Sequence, residues 1–152
     1  MKKVPENLAI IGGGYIGLEM GSVWSRLGSN VTVLEFLDHI TPGMDKEISR
    51  EFQKILTKQG INFKLECKVT SLKKNKSGVQ IDFVNNKTGT KEKMNCEKVL
   101  VSIGRKPYTE GLNLSKLGIK RDHKGCIEVN KNFQTSQSNV YALSLIHISE
   151  PT

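Results

Sequence analysis

Three glycines and one carboxylate are the residues of this 152-residue chain whose types and spacing point most directly to chemistry. Gly12, Gly14 and Gly17 satisfy a G-x-G-x-x-G spacing, and Glu35 follows 18 residues after Gly17 and 23 after Gly12. Glycines so placed let a chain turn sharply, let a pyrophosphate approach bare backbone, and let a helix pack closely on a strand. A helix that starts at such a turn offers unpaired N–H groups and its positive dipole end to phosphate. A carboxylate about 20 residues further on accepts hydrogen bonds from adenosine ribose hydroxyls and repels a 2′-phosphate. The residues after it, Phe36-Leu37-Asp38-His39-Ile40, contain no Arg or Lys to receive that phosphate, which favours NAD over NADP. Each feature alone also has a plain structural reading, the glycines as a turn and Glu35 as a solvated strand end. At their joint spacing they point to dinucleotide binding.

The flanking elements must hold these residues in place. Leu8-Ala9-Ile10-Ile11 is a short apolar run that reads as a buried strand entering the glycine turn. Ile16, Met20, Val23, Trp24 and Leu27 then recur as one helix face, with Gly28 as C-terminal stop and Gly21 extending the small-residue face begun at Gly17. Asn30 to Phe36 reads as a second strand, completing a βαβ unit with a right-handed crossover. Asp45 caps a second helix with an apolar face of Ile48, Phe52, Ile55 and Leu56, closed by Gly60, and Ile61 to Lys64 reads as a third parallel strand. Beyond it the pattern changes to short alternating strands at Val69–Leu72, Val79–Val84 and Lys91–Asn95, an antiparallel meander. Val99 to Gly104 returns to a continuous apolar run, as a buried parallel strand should. A helical turn at Asn113–Leu117 and short strands at Cys126–Val129 and Asn139–Leu143 complete the reading. The fold class is α/β, a Rossmann-like parallel sheet with an inserted three-stranded antiparallel β-meander.

Composition narrows the alternatives. The net charge of +8 lies wholly in residues 61–152, which hold 16 basic and eight acidic groups, whereas residues 1–60 hold seven of each. The lysines of the second half are scattered among Val, Ile and Phe at strand spacing, without an arginine run or an aromatic stacking series. A solvated sheet face is therefore the reading over a polyanion patch, and no nucleic acid is expected. Cys67, Cys96 and Cys126 form no CxxC pair and the three histidines are dispersed, so buried or inert thiols are expected and no metal site. No run of 18 apolar residues or signal-peptide core occurs, so no membrane span is expected.

The segments Gly12 to Gly28, Val33 to Asp38 and Val101 to Thr109 closely resemble dihydrolipoyl dehydrogenases, flavoprotein pyridine nucleotide–disulfide oxidoreductases. The resemblance spans roughly residues 4–142 and matches the NAD-binding domain of that family. It implies that Gly12, Gly13, Gly14, Tyr15, Ile16, Gly17, Leu18 and Glu19 form the NAD loop and helix start. Tyr15 would lie near the flavin–nicotinamide contact and Glu19 near the nicotinamide end. Glu35 would bind ribose, and Val69 and Gly104 would approach the adenosine and nicotinamide sides through their backbones. Arg105 reads as a fixed structural charge.

The family's flavin domain with its redox-active cysteine pair, and its dimerisation domain with a catalytic His and Glu, have no counterpart in these residues. The implied domain is therefore 1–142, a catalytically incomplete piece expected to bind NAD(H) without turnover, with no catalytic residue of its own. FAD would belong to the intact parent enzyme, a homodimer within 2-oxoacid dehydrogenase complexes in the cytoplasm or, in a eukaryote, the mitochondrial matrix. Two alternatives stay open: a stand-alone NAD(H)-binding or sensing module, and a fragment of another flavoprotein disulfide reductase. After Asn139-Val140-Tyr141-Ala142 the family's flavin-binding Gly-Asp does not follow. Residues 143–152 are accordingly expected to be a non-native or aberrant tail.

Overall fold

The computed structural model describes residues 3–144, and the chain divides into two compact units between Gly104 and Arg105. The expectation about residues 143–152 falls almost entirely on 145–152, which lie outside the described residues.

The first unit runs β1 (Asn7–Ile11), α1 (Tyr15–Arg26), β2 (Asn30–Leu34), α2 (Lys46–Lys58), β3 (Asn62–Lys64), β4 (Cys67–Lys74), β5 (Val79–Asn85), β6 (Lys91–Cys96) and β7 (Lys98–Val101). Four strands form a parallel sheet in the order β3-β2-β1-β7, and β4-β5-β6 form a separate antiparallel sheet. This is the expected α/β architecture with its inserted meander. β1 pairs with both neighbours, Ile10 opposite Val33 on one side and Leu100 on the other.

The parallel sheet is covered on both faces, which explains why its central strand is apolar without alternation. Leu8, Ile10, Val31 and Val33 face Leu18, Leu56 and Ile61, with Trp24 and Phe63 packed alongside. Ala9 and Leu34 join Cys67, Ile81, Phe83 and Cys96 in a second cluster, to which the meander contributes most. The meander turns Val69 and Met94 inward while Lys68, Lys91 and Lys93 alternate outward into solvent. Lys64 pairs with Glu92 at 2.8 Å and sits 5.3 Å from the Phe83 ring centre. The basic excess here is thus an alternating sheet face.

Several expectations are corrected. α1 keeps the predicted period but not the predicted phase. It buries Gly17, Leu18 and Gly21 and keeps Trp24 of the predicted face half-buried against the core, while Ile16, Met20, Val23 and the C-cap Leu27 are exposed, a rotation of about 100° at 3.6 residues per turn. The cause is close approach: a Cβ at Gly21 would stand 2.8 Å from Ile10 Cδ1, so the helix settles on its glycines. In α2 only Ser49 and Leu56 are buried, while Ile48, Phe52 and Ile55 stay open. β7 ends at Val101 and pairs only with β1 among the described residues. It is half-exposed rather than buried because it forms the sheet's edge.

The expected strands at Cys126–Val129 and Asn139–Leu143 reduce to single bridges, Arg121 to Ile127 and Gln134 to Tyr141. Side-chain hydrogen bonds compete with the ladder there. Asp122 accepts from the amides of Lys124 and Cys126, and Asn130 from those of Asn132 and Gln134. The helical turn after Asn113 is present, its Leu117 amide bonding the Asn113 carbonyl at 3.1 Å. Of the thiols read as buried or inert, Cys67 and Cys96 are buried and Cys126 is exposed. Among the described residues, no helix is long and apolar enough to cross a membrane.

Candidate functional site

The glycine turn begins where β1 runs out. Gly12 adopts φ +106°, and a Cβ there would stand 2.5 Å from the Ser102 carbonyl oxygen, so only glycine fits. Its amide donates to the Leu34 carbonyl at 2.9 Å, tying the turn to the end of β2. Five residues later, a Cβ on Gly17 would collide with the Gly12 carbonyl oxygen and lie 2.5 Å from Ser102 Oγ. Close helix–strand packing therefore requires glycine at 17.

Gly14 differs from both. It is the N-cap of α1 with an extended backbone and no side-chain cap, and no atom lies within 4 Å of where its Cβ would be. The helix ladder opens with the Leu18 amide on the Gly14 carbonyl at 3.1 Å. The amides of Tyr15, Ile16 and Gly17 ahead of it have no acceptor among the described residues, as first-turn amides do. Open space beside unpaired donors at a helix start is what an anionic group needs.

Glu35 stands one residue beyond β2 and is only 7% exposed. Both carboxylate oxygens are engaged, Oε2 by the Gly13 amide at 2.5 Å and Oε1 by the Leu37 amide at 2.9 Å. The side chain is thus a buried, oriented acceptor and not a solvated strand end. Each oxygen retains a second lone-pair direction for a further donor such as a hydroxyl. The segment beyond it adds only acidic charge: His39 hydrogen-bonds Asp38 and holds that carboxyl below its ordinary range.

The structure brings Gly12, Gly13, Gly14, Ile16, Gly17, Leu18 and Glu35 into one corner. Leu18 is buried beneath it, whereas Tyr15 (69% exposed) and Glu19 project outward. Gly104, at φ +112° and exposed, follows two residues after the Ser102 peptide that covers Gly12. Val69 sits apart from this hydrogen-bonded set, paired with Phe83 and packed into the meander cluster.

Two residues of the corner escaped the sequence reading. Ser102 donates its hydroxyl toward the Ile11 and Gly12 carbonyls, and the Thr41 amide donates to the Gly13 carbonyl at 2.8 Å. Thr41 is itself pinned by a 2.8 Å hydroxyl contact to buried Ser49. A hydroxyl inside the apolar run Val99-Leu100-Val101-Ser102-Ile103 was the available signal for Ser102, and no comparable signal marked Thr41.

A second concavity, of about 850 Å³, lies between α1 and α2. Leu18 and Val23 line it from α1, and Ile48, Phe52 and Ile55 from α2. It follows the two helices with a mostly apolar lining and adjoins the glycine corner, since Tyr15, Leu18, Glu19 and Thr41 line it as well.

Residues 1–144 match the family described as pyridine nucleotide-disulphide oxidoreductase. The chain is 48% identical over 143 residues to the mitochondrial dihydrolipoyl dehydrogenase of Pisum sativum, and 49% over 145 residues to that of Bos taurus. Each match covers 94% of this chain and 28% of the relative, so the chain spans under a third of their length. Among solved structures it is similar to the HOCl-induced flavoprotein disulfide reductase RclA from Escherichia coli. That match has a TM-score of 0.83 at 28% identity and covers all of this chain and 34% of the other. A pyridine nucleotide-disulfide family oxidoreductase from Enterococcus faecalis V583 gives 0.78 at 27% identity, over 90% of this chain and 31% of that one.

Proposed function

The chain belongs to the pyridine nucleotide-disulphide oxidoreductases, and on that premise we propose that its glycine corner binds NAD(H), within a domain spanning residues 1–142. The observation that carries the reading is the pairing of Gly14's open space with an oriented Glu35 at the neighbouring strand end. The residues present fit the group. The amides of Tyr15 to Gly17 would meet the pyrophosphate, and Glu35 would accept from the ribose hydroxyls. Gly104 and Val69 would contribute backbone on the nicotinamide and adenosine sides, with Tyr15 and Glu19 toward the nicotinamide end. When bound, NAD⁺ supplies the hydride-accepting ring; the chain's own residues bind, orient and select it.

The whole protein is read as a dihydrolipoyl dehydrogenase, oxidising dihydrolipoamide with FAD and NAD⁺. It would act as a homodimer of 2-oxoacid dehydrogenase complexes, in the cytoplasm or the mitochondrial matrix. The identity of 48% to the Pisum sativum enzyme favours this over another flavoprotein disulfide reductase, for which 28% to RclA speaks. The isolated chain is expected to bind NAD(H) without turnover.

Calorimetric titration of the chain with NADH and NADPH tests the reading. NADH should bind at least about tenfold more tightly, roughly 1.4 kcal/mol of discrimination. Glu35→Gln should erase most of that preference, because an amide cannot accept at both Gly13 and Leu37. Equal affinity of the unaltered chain for both nucleotides sinks the role of Glu35, and absence of binding sinks the site.

A further inference from the structure

We propose that Ser102 is a positioning residue for the dinucleotide loop, acting through the Gly12–Gly13 peptide; the inference rests on the NAD(H) reading above. The Ser102 amide donates to the Ile11 carbonyl at 2.8 Å, carrying the β1–β7 pairing one step past the strand. Its hydroxyl then lies 3.1 Å from the Ile11 carbonyl oxygen and 3.2 Å from that of Gly12. The single hydroxyl proton is shared between two acceptors. Among the described residues no other donor reaches the Gly12 carbonyl.

The same peptide plane is held at its opposite edge, where the Gly13 amide donates to Glu35 Oε2 at 2.5 Å. Ser102 and Glu35 thus grip one peptide from its two ends. Glycine at 12 and 17 lets the grip close: a Cβ at Gly12 would strike the Ser102 carbonyl, and one at Gly17 would lie 2.5 Å from Ser102 Oγ. Rotation of this plane would misdirect the Gly13 amide and release the carboxylate that reads the ribose. It would also turn the chain that leads into the unpaired amides of Tyr15 to Gly17. Ser102 touches none of the ligand; it sets the direction of the groups that do.

The test uses the full chain with Ser102→Ala and Ser102→Thr, the second retaining the hydroxyl. In Ser102→Ala, the Gly13 amide should exchange its hydrogen at least about tenfold faster, with Ile10 and Val33 unchanged. Its Kd for NADH should rise about five- to twentyfold, and its Kd for adenosine should rise as well, because adenosine carries the ribose that Glu35 reads. Ser102→Thr should restore Gly13 protection toward that of the unaltered chain. Unchanged Gly13 exchange in Ser102→Ala overturns the proposal, as does a Kd for NADH equal to that of an unaltered chain that binds it. If Ser102→Ala does not fold, a folded Ser102→Thr with an unprotected Gly13 overturns it and a protected one supports it. Exchange needs no ligand, so it decides the role of Ser102 even if the unaltered chain fails to bind NADH.

Discussion

The glycine corner and the α1–α2 groove share a helix, yet opposite physics governs them. In the corner, backbone and carboxylate are joined by short hydrogen bonds: Gly12 to Leu34 and Ser102, Gly13 to Glu35 and Thr41. At Gly12 and Gly17 ordinary side chains are excluded, because a Cβ there would stand about 2.5 Å from a neighbouring carbonyl oxygen. In the groove, Val23, Ile48 and Ile55 are large, apolar and about half exposed, and no directional bond holds them. The corner is specified by what cannot fit, the groove by what has not been covered. Sequence hydrophobicity therefore overstates the groove's part in stability and understates the corner's.

The sharpest way to break this contrast uses adjacent residues of α2. Leu56 is 3% exposed in the helix-side core and Ile55 is 51% exposed in the groove. Leu56→Ala should cost about 2–5 kcal/mol by denaturant titration, and Ile55→Ala less than about 1 kcal/mol. Similar costs would mean that the groove is closed in solution.

A smaller effect is expected from adding one methyl group in the corner. Gly17→Ala should cost about 1–3 kcal/mol, because the new Cβ meets the Gly12 backbone carbonyl, which cannot withdraw, and displaces Ser102 Oγ. The same change at Gly14, where space is open, should be nearly silent in stability while weakening NADH. Equal stability loss at both would contradict the division between a packing glycine and an approach glycine.

The smallest perturbation, thiol labelling, probes closure without changing the fold. Cys126 should react at once with an aromatic disulfide reagent at neutral pH, and Cys67 and Cys96 only on unfolding. Burial raises the thiol pKa of both buried cysteines. The unfolded chain then ionises first, so stability should fall as pH climbs past about 8.5, the unfolded thiol value. Rapid labelling of all three at neutral pH would show that the meander side is as open as the groove.

Elements with strong local signals were legible from the residues. The β1 run into Gly12, the Asp45 cap that accepts from Glu47 and Ile48, and the turn-separated meander all stand where periodicity put them. Gly12, Gly14, Gly17 and Glu35 were legible because each answers a local backbone or spacing demand. What was missed depends on partners distant in sequence. The phase of α1 follows from Gly17 and Gly21 meeting β1, and the strands read after Cys126 lost to the side chains of Asp122 and Asn130. Ser102 meets Gly12 across 90 residues, an approach no window of sequence displays.

Residue order alone thus determined the period of each element, the glycine turn and the carboxylate beyond the second strand, since φ preferences and side-chain chemistry are local properties. Only the tertiary structure decided which helix face is buried, that Glu35 is gripped through the loop it serves, and that a serine past the edge strand completes the corner. Those outcomes depend on distances between chain segments far apart in sequence, where an approach too close to admit a Cβ outweighs the apolar preference of a whole helix face.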